Sequence, residues 1–119
     1  MAEPAAQTTV RVVLAERDPL LRVRIAEMLR DGGFQLCGVA ESKQELILVA
    51  AATQPDLFLI DSHLGAANHG FEAAEWILVH HDVAVVLMAG PGDPPSVVPF
   101  VAKPFDRDRL FAEITRAMA

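Results

Sequence analysis

The chain has 119 residues, 52% of them hydrophobic, and a formal charge of −6. This length suffices for one domain that buries a core without metal or disulfide support. The single cysteine, Cys37, excludes an internal disulfide and is typical of a reducing compartment. The acidic balance argues against direct nucleic-acid binding, and the lack of a long apolar run or export signal argues against membrane insertion or secretion. We expect a cytoplasmic domain at 9–119 after a flexible lead at 1–8.

Strand patterns alternate with helical patterns along the whole chain. In chain order we predict a strand at 9–15, a helix at 19–30, a strand at 34–40, a helix at 43–53, a strand at 55–61, a helix at 71–81, strands at 83–89 and 98–102, and a helix at 107–118. Asp18, Ser42 and Asp106 precede three of the helices and have the side chains that cap helix N-termini. Pro19 suits a first helical position, because its missing N–H would have no helical partner there.

Strands that are apolar along nearly their whole length are typical of a sheet that is buried on both faces. Their alternation with helices predicts right-handed crossover connections. The sequence therefore predicts an α/β fold: a doubly wound, five-stranded parallel sheet with helices on both sides. In the strand order 2-1-3-4-5, strands one and three are neighbours.

Ligands of open parallel sheets bind beyond the carboxyl ends of the strands. The strands are predicted to end at Glu16, Asp61, Ala89 and Lys103. If strands one and three are neighbours, the two carboxylates face each other across this edge. Two carboxylates with an opposed ammonium can hold a divalent cation together with an oxyanion.

Three motifs of the chain resemble those of one protein family. They are PDLFLID at 55–61 followed by Leu64 and Gly70, FVAKPFD at 100–106, and VVLAERDPLLR at 12–22. Together they resemble the receiver domain of two-component response regulators, over roughly residues 9–119. Receivers have the flavodoxin-like fold with the strand order 2-1-3-4-5 and are typical of bacterial signalling proteins.

The resemblance implies a role for each matching site residue. Asp61 would be the phospho-acceptor, which takes its phosphoryl group from a histidine kinase or a phosphotransferase. Lys103 would contact the phosphoryl oxygens, next to a Lys103–Pro104 peptide bond that is cis in the family. Glu16, Asp61 and the backbone carbonyl of His63 would bind Mg²⁺, which neutralises charge on the transferred group.

The sequence departs from the family pattern at several site positions. Arg17 replaces the second metal-binding acid, so we expect Mg²⁺ binding to be weak or absent. We expect Arg17 to pair with Glu16 or Asp61 at rest and to contact a phosphoryl oxygen after transfer. Ala89 replaces the switch Ser or Thr, and Phe100 matches the switch aromatic but lacks a hydroxyl.

The segment between Gly90 and Pro99 is shorter than its counterpart in most receivers and is rich in glycine and proline. We predict a mobile loop or a single helical turn there, because these residues oppose a helix. The family's fourth helix would then be reduced or missing, as it is in a subset of receivers.

The leading interpretation is a receiver that is phosphorylated on Asp61 and signals through altered binding of an unknown downstream protein. It would not be an enzyme beyond self-phosphorylation from a phosphodonor and autodephosphorylation, and the sequence leaves homodimer formation open. One alternative is a pseudo-receiver that is regulated without phosphorylation, which Arg17 and Ala89 favour. A third is a phosphatase or phosphotransferase with an Asp nucleophile, although such enzymes usually have a second Asp where this chain has His63.

Overall fold

The structure is a computed structural model that describes residues 9–65, 69–93 and 98–119. The predicted lead at 1–8 lies outside the described residues. The elements are β1 (Arg11–Ala15), α1 (Pro19–Asp31), β2 (Gln35–Ala40), α2 (Lys43–Ala52), β3 (Leu57–Asp61), α3 (His69–His80), β4 (Ala84–Ala89), β5 (Phe100–Ala102) and α4 (Arg107–Met118). The longest of these helices, α1, has 13 residues, and no helix in the described ranges could cross a bilayer.

The five strands form one parallel sheet in the order β2-β1-β3-β4-β5, so the predicted fold and strand order are confirmed. β3 lies between β1 and β4, and all five of its residues are buried. Because successive side chains of a strand point to opposite faces of the sheet, β3 contributes to a core on each side. Phe58 and Ile60 pack in the core beneath α2 and α3, and Leu57 and Leu59 pack in the core beneath α1 and α4.

Three helices begin at the capping residues that the sequence predicts. The side-chain oxygen of Asp18 accepts from the backbone N–H of Leu20, at 2.9 Å. Ser42 and Asp106 accept in the same way from residues three positions further on, at 3.1 and 2.9 Å. Each side chain satisfies a donor that has no partner inside its helix, which fixes where the helix starts.

Helix α3 begins at His69, two residues before its predicted start. Gly70 explains the difference, because its N–H donates to the carbonyl of Ser62 at 3.2 Å and draws the first turn onto the end of β3. A Cβ at Gly70 would overlap the carbonyl oxygen of Asp61. The absence of a side chain therefore lets α3 start against the backbone of the candidate acceptor.

The connection between β4 and β5 contains a turn but no helix in its described parts, 90–93 and 98–99. The prediction for Gly90–Pro99 also covers residues 94–97, which lie outside the described residues. Four helices accompany the five strands in the described chain, in agreement with the prediction that the fourth helix of the family is reduced or missing.

Candidate functional site

Glu16, Asp61 and Lys103 come together at the carboxyl edge of the sheet. The Nζ atom of Lys103 lies 3.1 Å from Oε1 of Glu16 and 3.0 Å from Oδ1 of Asp61. Glu16 and Asp61 are only 1% and 6% exposed. The three residues that close predicted strands thus form one ionic cluster, in which both carboxylates are buried.

Backbone hydrogen bonds beyond the strand ends hold these residues in place. The N–H of Glu16 donates to the carbonyl of Ala40 at 3.0 Å, which extends the β1–β2 ladder by one residue. The N–H of Lys103 donates to the carbonyl of Ala89 at 2.7 Å and does the same for β4 and β5. The Lys103–Pro104 peptide bond is cis.

The cluster contains two carboxylates and one ammonium, and their burial sets its electrostatics. Burial raises the pKa of Glu16, and the neighbouring Asp61 carboxylate raises it further, against the opposing effects of Lys103 and the Asp18 N–H. Burial acts to lower the pKa of Lys103, but its two carboxylate partners outweigh burial and raise it. Lys103 is therefore a cation at neutral pH.

The cluster opens onto a cleft of about 520 Å³ that also contacts the start of α1. Pro19 and Leu21 form the apolar side of this cleft, and His63 lines it beside Asp61. A phosphoryl group is small enough to enter a cleft of this volume. The arrangement can place an oxyanion against the Asp61 carboxylate and the Lys103 ammonium.

Arg17 has a different partner from the one that the sequence analysis predicts. Its guanidinium NH1 donates to the carbonyl of Gly65 at 2.8 Å, and within the described ranges it forms no ion pair with Glu16 or Asp61. The predicted resting-state pairing is therefore wrong. Lys103 already occupies the position between the carboxylates, so the exposed Arg17 instead connects the loop after β1 to the loop after β3.

The donors at this edge fit Mg²⁺ poorly. Glu16 and Asp61 both contact the ammonium of Lys103. The carboxylate of Asp18, which also lines the cleft, caps α1, and a cation replaces the family's second metal-binding acid at position 17. Over 9–65, 69–93 and 98–119, no three acidic, histidine or cysteine side chains form a group suited to a metal ion. Mg²⁺ prefers a complete set of oxygen ligands, which these side chains do not supply.

Asp93 joins the site in a way that the sequence analysis does not predict. Its Oδ2 atom accepts from Ser62 Oγ and from the N–H of Gly90, both at 2.6 Å, and its Oδ1 atom lies 2.8 Å from Nε2 of His63. Burial acts to raise the pKa of Asp93, but the hydrogen bonds from Ser62 and Gly90, together with His63, lower it. The turn-forming GPGD at 90–93 was the only sequence signal for this contact.

Neither predicted switch position supplies a polar group to the cleft. Ala89 ends β4 without a hydroxyl, and Phe100, the first residue of β5, is 47% exposed. A phosphoryl group on Asp61 would therefore meet no side-chain donor from the end of β4.

Comparison with solved structures identifies receiver domains as structural relatives of this chain. The solution NMR structure of the Erythrobacter litoralis PhyR response-regulator REC domain superposes with a TM-score of 0.83. It is 27% identical and covers 96% of this chain and 93% of its own. This chain is a response-regulator receiver domain.

Curated relatives agree with the assignment of the receiver. The phyllosphere-induced regulator PhyR of Methylorubrum extorquens is 25% identical over 123 residues, which span 98% of this chain and 46% of that protein. The transcriptional regulatory protein PdtaR of Mycobacterium tuberculosis is 33% identical over 78 residues, which span 66% of this chain and 38% of that protein. The receiver thus spans less than half the length of these relatives. No protein-family model matches it.

Proposed function

We propose that this receiver accepts a phosphoryl group on Asp61 from a histidine kinase or phosphotransferase and thereby changes its affinity for a partner protein. The observation that carries the proposal is the Asp61 carboxylate, which lies 3.0 Å from the Lys103 ammonium at the edge of an open cleft. A buried carboxylate beside a fixed cation is equipped to become an acyl phosphate, because the cation offsets the charge of the incoming group.

The transfer requires one bond to form and one to break. A carboxylate oxygen of Asp61 bonds to phosphorus as the bond from phosphorus to the donor breaks, and the leaving group takes a proton from solvent. Lys103 remains charged at neutral pH and can exchange one carboxylate contact for a phosphoryl oxygen. Glu16 retains the ammonium at the site during this exchange, since its carboxylate contacts the same Nζ atom.

We further propose that Mg²⁺ contributes little to this chemistry. When it binds to a receiver, the metal neutralises phosphoryl charge, and here Glu16 and Asp61 would be its carboxylate ligands. Their contacts with Lys103 compete with the metal. The backbone carbonyl of His63 stays a predicted third ligand.

Acetyl phosphate and mass spectrometry test the acceptor assignment. We expect a single phosphoryl adduct on the unmodified protein, its loss in Asp61→Asn, and its retention in Asp82→Asn. Asp82 is a suitable control because it is an exposed acid near the amino ends of the strands. Undiminished labelling of Asp61→Asn would show that the acceptor is another residue.

The pseudo-receiver is the second candidate, and the contacts of Lys103 favour it. The ammonium satisfies both carboxylates without a phosphoryl group, and Ala89 offers no hydroxyl to detect one. In that case the folded, unmodified protein remains unlabelled with every phosphodonor and binds its partner regardless.

A further inference from the structure

Asp93 connects the residues after the candidate acceptor to the loop after β4. Oδ2 binds Ser62 and Gly90, which directly follow β3 and β4, and Oδ1 binds the imidazole of His63. The Asp93 side chain is only 7% exposed. The hydrogen bonds of one carboxylate therefore connect the described loop 90–93 to the segment that carries Asp61.

His63 lies between this carboxylate and the candidate acceptor. Its backbone N–H donates to Oδ1 of Asp61 at 3.4 Å, and its side chain lines the cleft onto which Asp61 opens. The imidazole is 55% exposed. It can therefore rotate without disturbing the core, and its described side-chain hydrogen bond is the one to Asp93.

Three side chains that line the described cleft can donate to a phosphoryl oxygen beside the candidate acceptor without unfolding a strand: those of Lys103, Arg17 and His63. Arg17 donates to the carbonyl of Gly65, in the loop after β3. Lys103 already bridges two carboxylates within the sheet edge. His63 alone is also bonded to the loop after β4. A change in the hydrogen-bond partner of His63 would therefore alter that loop. Ala89 cannot have this effect, because it has no polar side chain.

We propose that the His63 imidazole is a phosphoryl-contacting group, which Asp93 holds beside Asp61 until a phosphoryl group arrives. The imidazole then leaves Asp93 and donates to a phosphoryl oxygen. Loop 90–93 thereby loses its contact with His63. Asp93 acts as a positioning residue in this exchange. The inference rests on the proposed function, because it needs the acyl phosphate on Asp61.

The charges of the two acceptors favour the exchange. A phosphoryl group carries a charge of about −1.5 to −2 and offers three acceptor oxygens. Asp93 carries a single negative charge and already accepts hydrogen bonds from Ser62 and Gly90. Charge-assisted hydrogen bonds to the more highly charged acceptor are the stronger ones. Oδ2 of Asp93 keeps its two partners, so the loop shifts and does not detach.

NMR spectroscopy of the ¹⁵N-labelled protein treated with acetyl phosphate tests the exchange, with intact mass giving the phosphorylated fraction. In the unmodified protein we expect the Nε2 resonance of His63 and the amide resonances of Gly90, Gly92 and Asp93 to shift in proportion to that fraction. In His63→Ala, phosphorylated Asp61 should shift those three amides by less than half as much. His63→Gln, which keeps a polar side chain, is the second variant.

Two further variants separate this inference from general structural effects. In Asp93→Asn we expect the Nε2 resonance of His63 to move away from its position in the unmodified protein before any phosphodonor is added, because the Asp93 carboxylate no longer holds the imidazole. His69→Ala removes a histidine at the start of α3 that has no described bond to Asp93, and its loop should respond as the unmodified protein does. If His63→Ala and His63→Gln are both phosphorylated and their loop amides shift as much as in the unmodified protein, this inference alone is overturned. Failure to label the unmodified protein would overturn it together with the proposed function.

Discussion

At the scale of single residues, the site depends on one ammonium between two buried carboxylates. Removal of one member of a buried ionic group leaves its partners desolvated and uncompensated. Glu16 and Asp61 both contact the Lys103 ammonium. Without this ammonium, the two carboxylates would repel each other at the edge of the sheet. Lys103 is therefore expected to support the folded state as well as the proposed transfer.

We expect Lys103→Met to lower the free energy of unfolding at neutral pH by about 1–3 kcal/mol, less than for a fully buried group because the lysine side chain is partly exposed. Because folding raises the pKa of Glu16, the protonated side chain contributes to the stability of the folded state. This contribution is complete below the ordinary pKa of 4.5 and is lost as pH rises through the folded-state pKa. Lys103 opposes that rise, so the deficit should grow as pH increases from about 4 to about 7.

Urea unfolding at several pH values measures this deficit. Lys43→Met is the matched control, because Lys43 pairs with the exposed Glu72 at 3.4 Å on the surface, where such pairs contribute about 0–1 kcal/mol. A Lys103→Met deficit that does not vary with pH would mean that repulsion between the carboxylates is not its cause.

Arg17 is the residue whose replacement should most change metal binding. Arg17→Asp removes a cation from the cleft and restores the family's second metal-binding acid, so we expect Mg²⁺ to bind about tenfold more tightly or better. Amide shifts of Asp61 and His63 during Mg²⁺ titration measure this. Arg24→Asp makes the same charge change at an exposed position of α1, and it should leave the affinity unchanged. Equal affinity of the unmodified protein and Arg17→Asp would contradict the proposal.

At the scale of elements, the site depends on how closely α3 approaches β3. Gly70 brings the first turn of the helix against the backbone of Asp61 and Ser62, where a Cβ would collide. Helix propensity favours alanine over glycine by about 1 kcal/mol. Here, however, the collision is with backbone atoms, which cannot move aside as a side chain can.

We therefore expect Gly70→Ala to lower the free energy of unfolding by about 2 kcal/mol, within the range for overpacked sites. The amide resonances of Asp61, Ser62 and His63 should shift with it, and labelling of Asp61 should slow. Glu75→Ala, at an exposed position of the same helix, provides the control for propensity. A Gly70→Ala protein as stable as the unmodified one would show that α3 can move away from β3 at little cost.

At the scale of the whole molecule, a single central sheet joins two cores. β3 contributes residues to both of them, and Asp61 is its last residue. The candidate acceptor is therefore anchored by the most deeply buried strand, while its described partners, Lys103 and the N–H of His63, come from the segments that follow β5 and β3. This combination of a rigid support and adjustable neighbours suits a site whose charge changes during signalling.

Local sequence patterns suffice to predict the elements, the parallel sheet and the strand ends at which Glu16, Asp61 and Lys103 lie. Apolar runs and capping residues such as Asp18 act over a few neighbouring positions. The partners become apparent only in the folded chain, where Lys103 rather than Arg17 lies between the carboxylates. Asp93 likewise contacts His63 only there. Lys103 lies 87 positions from Glu16 along the chain. Partners this far apart are chosen by distance and burial in the folded protein, which no local pattern specifies.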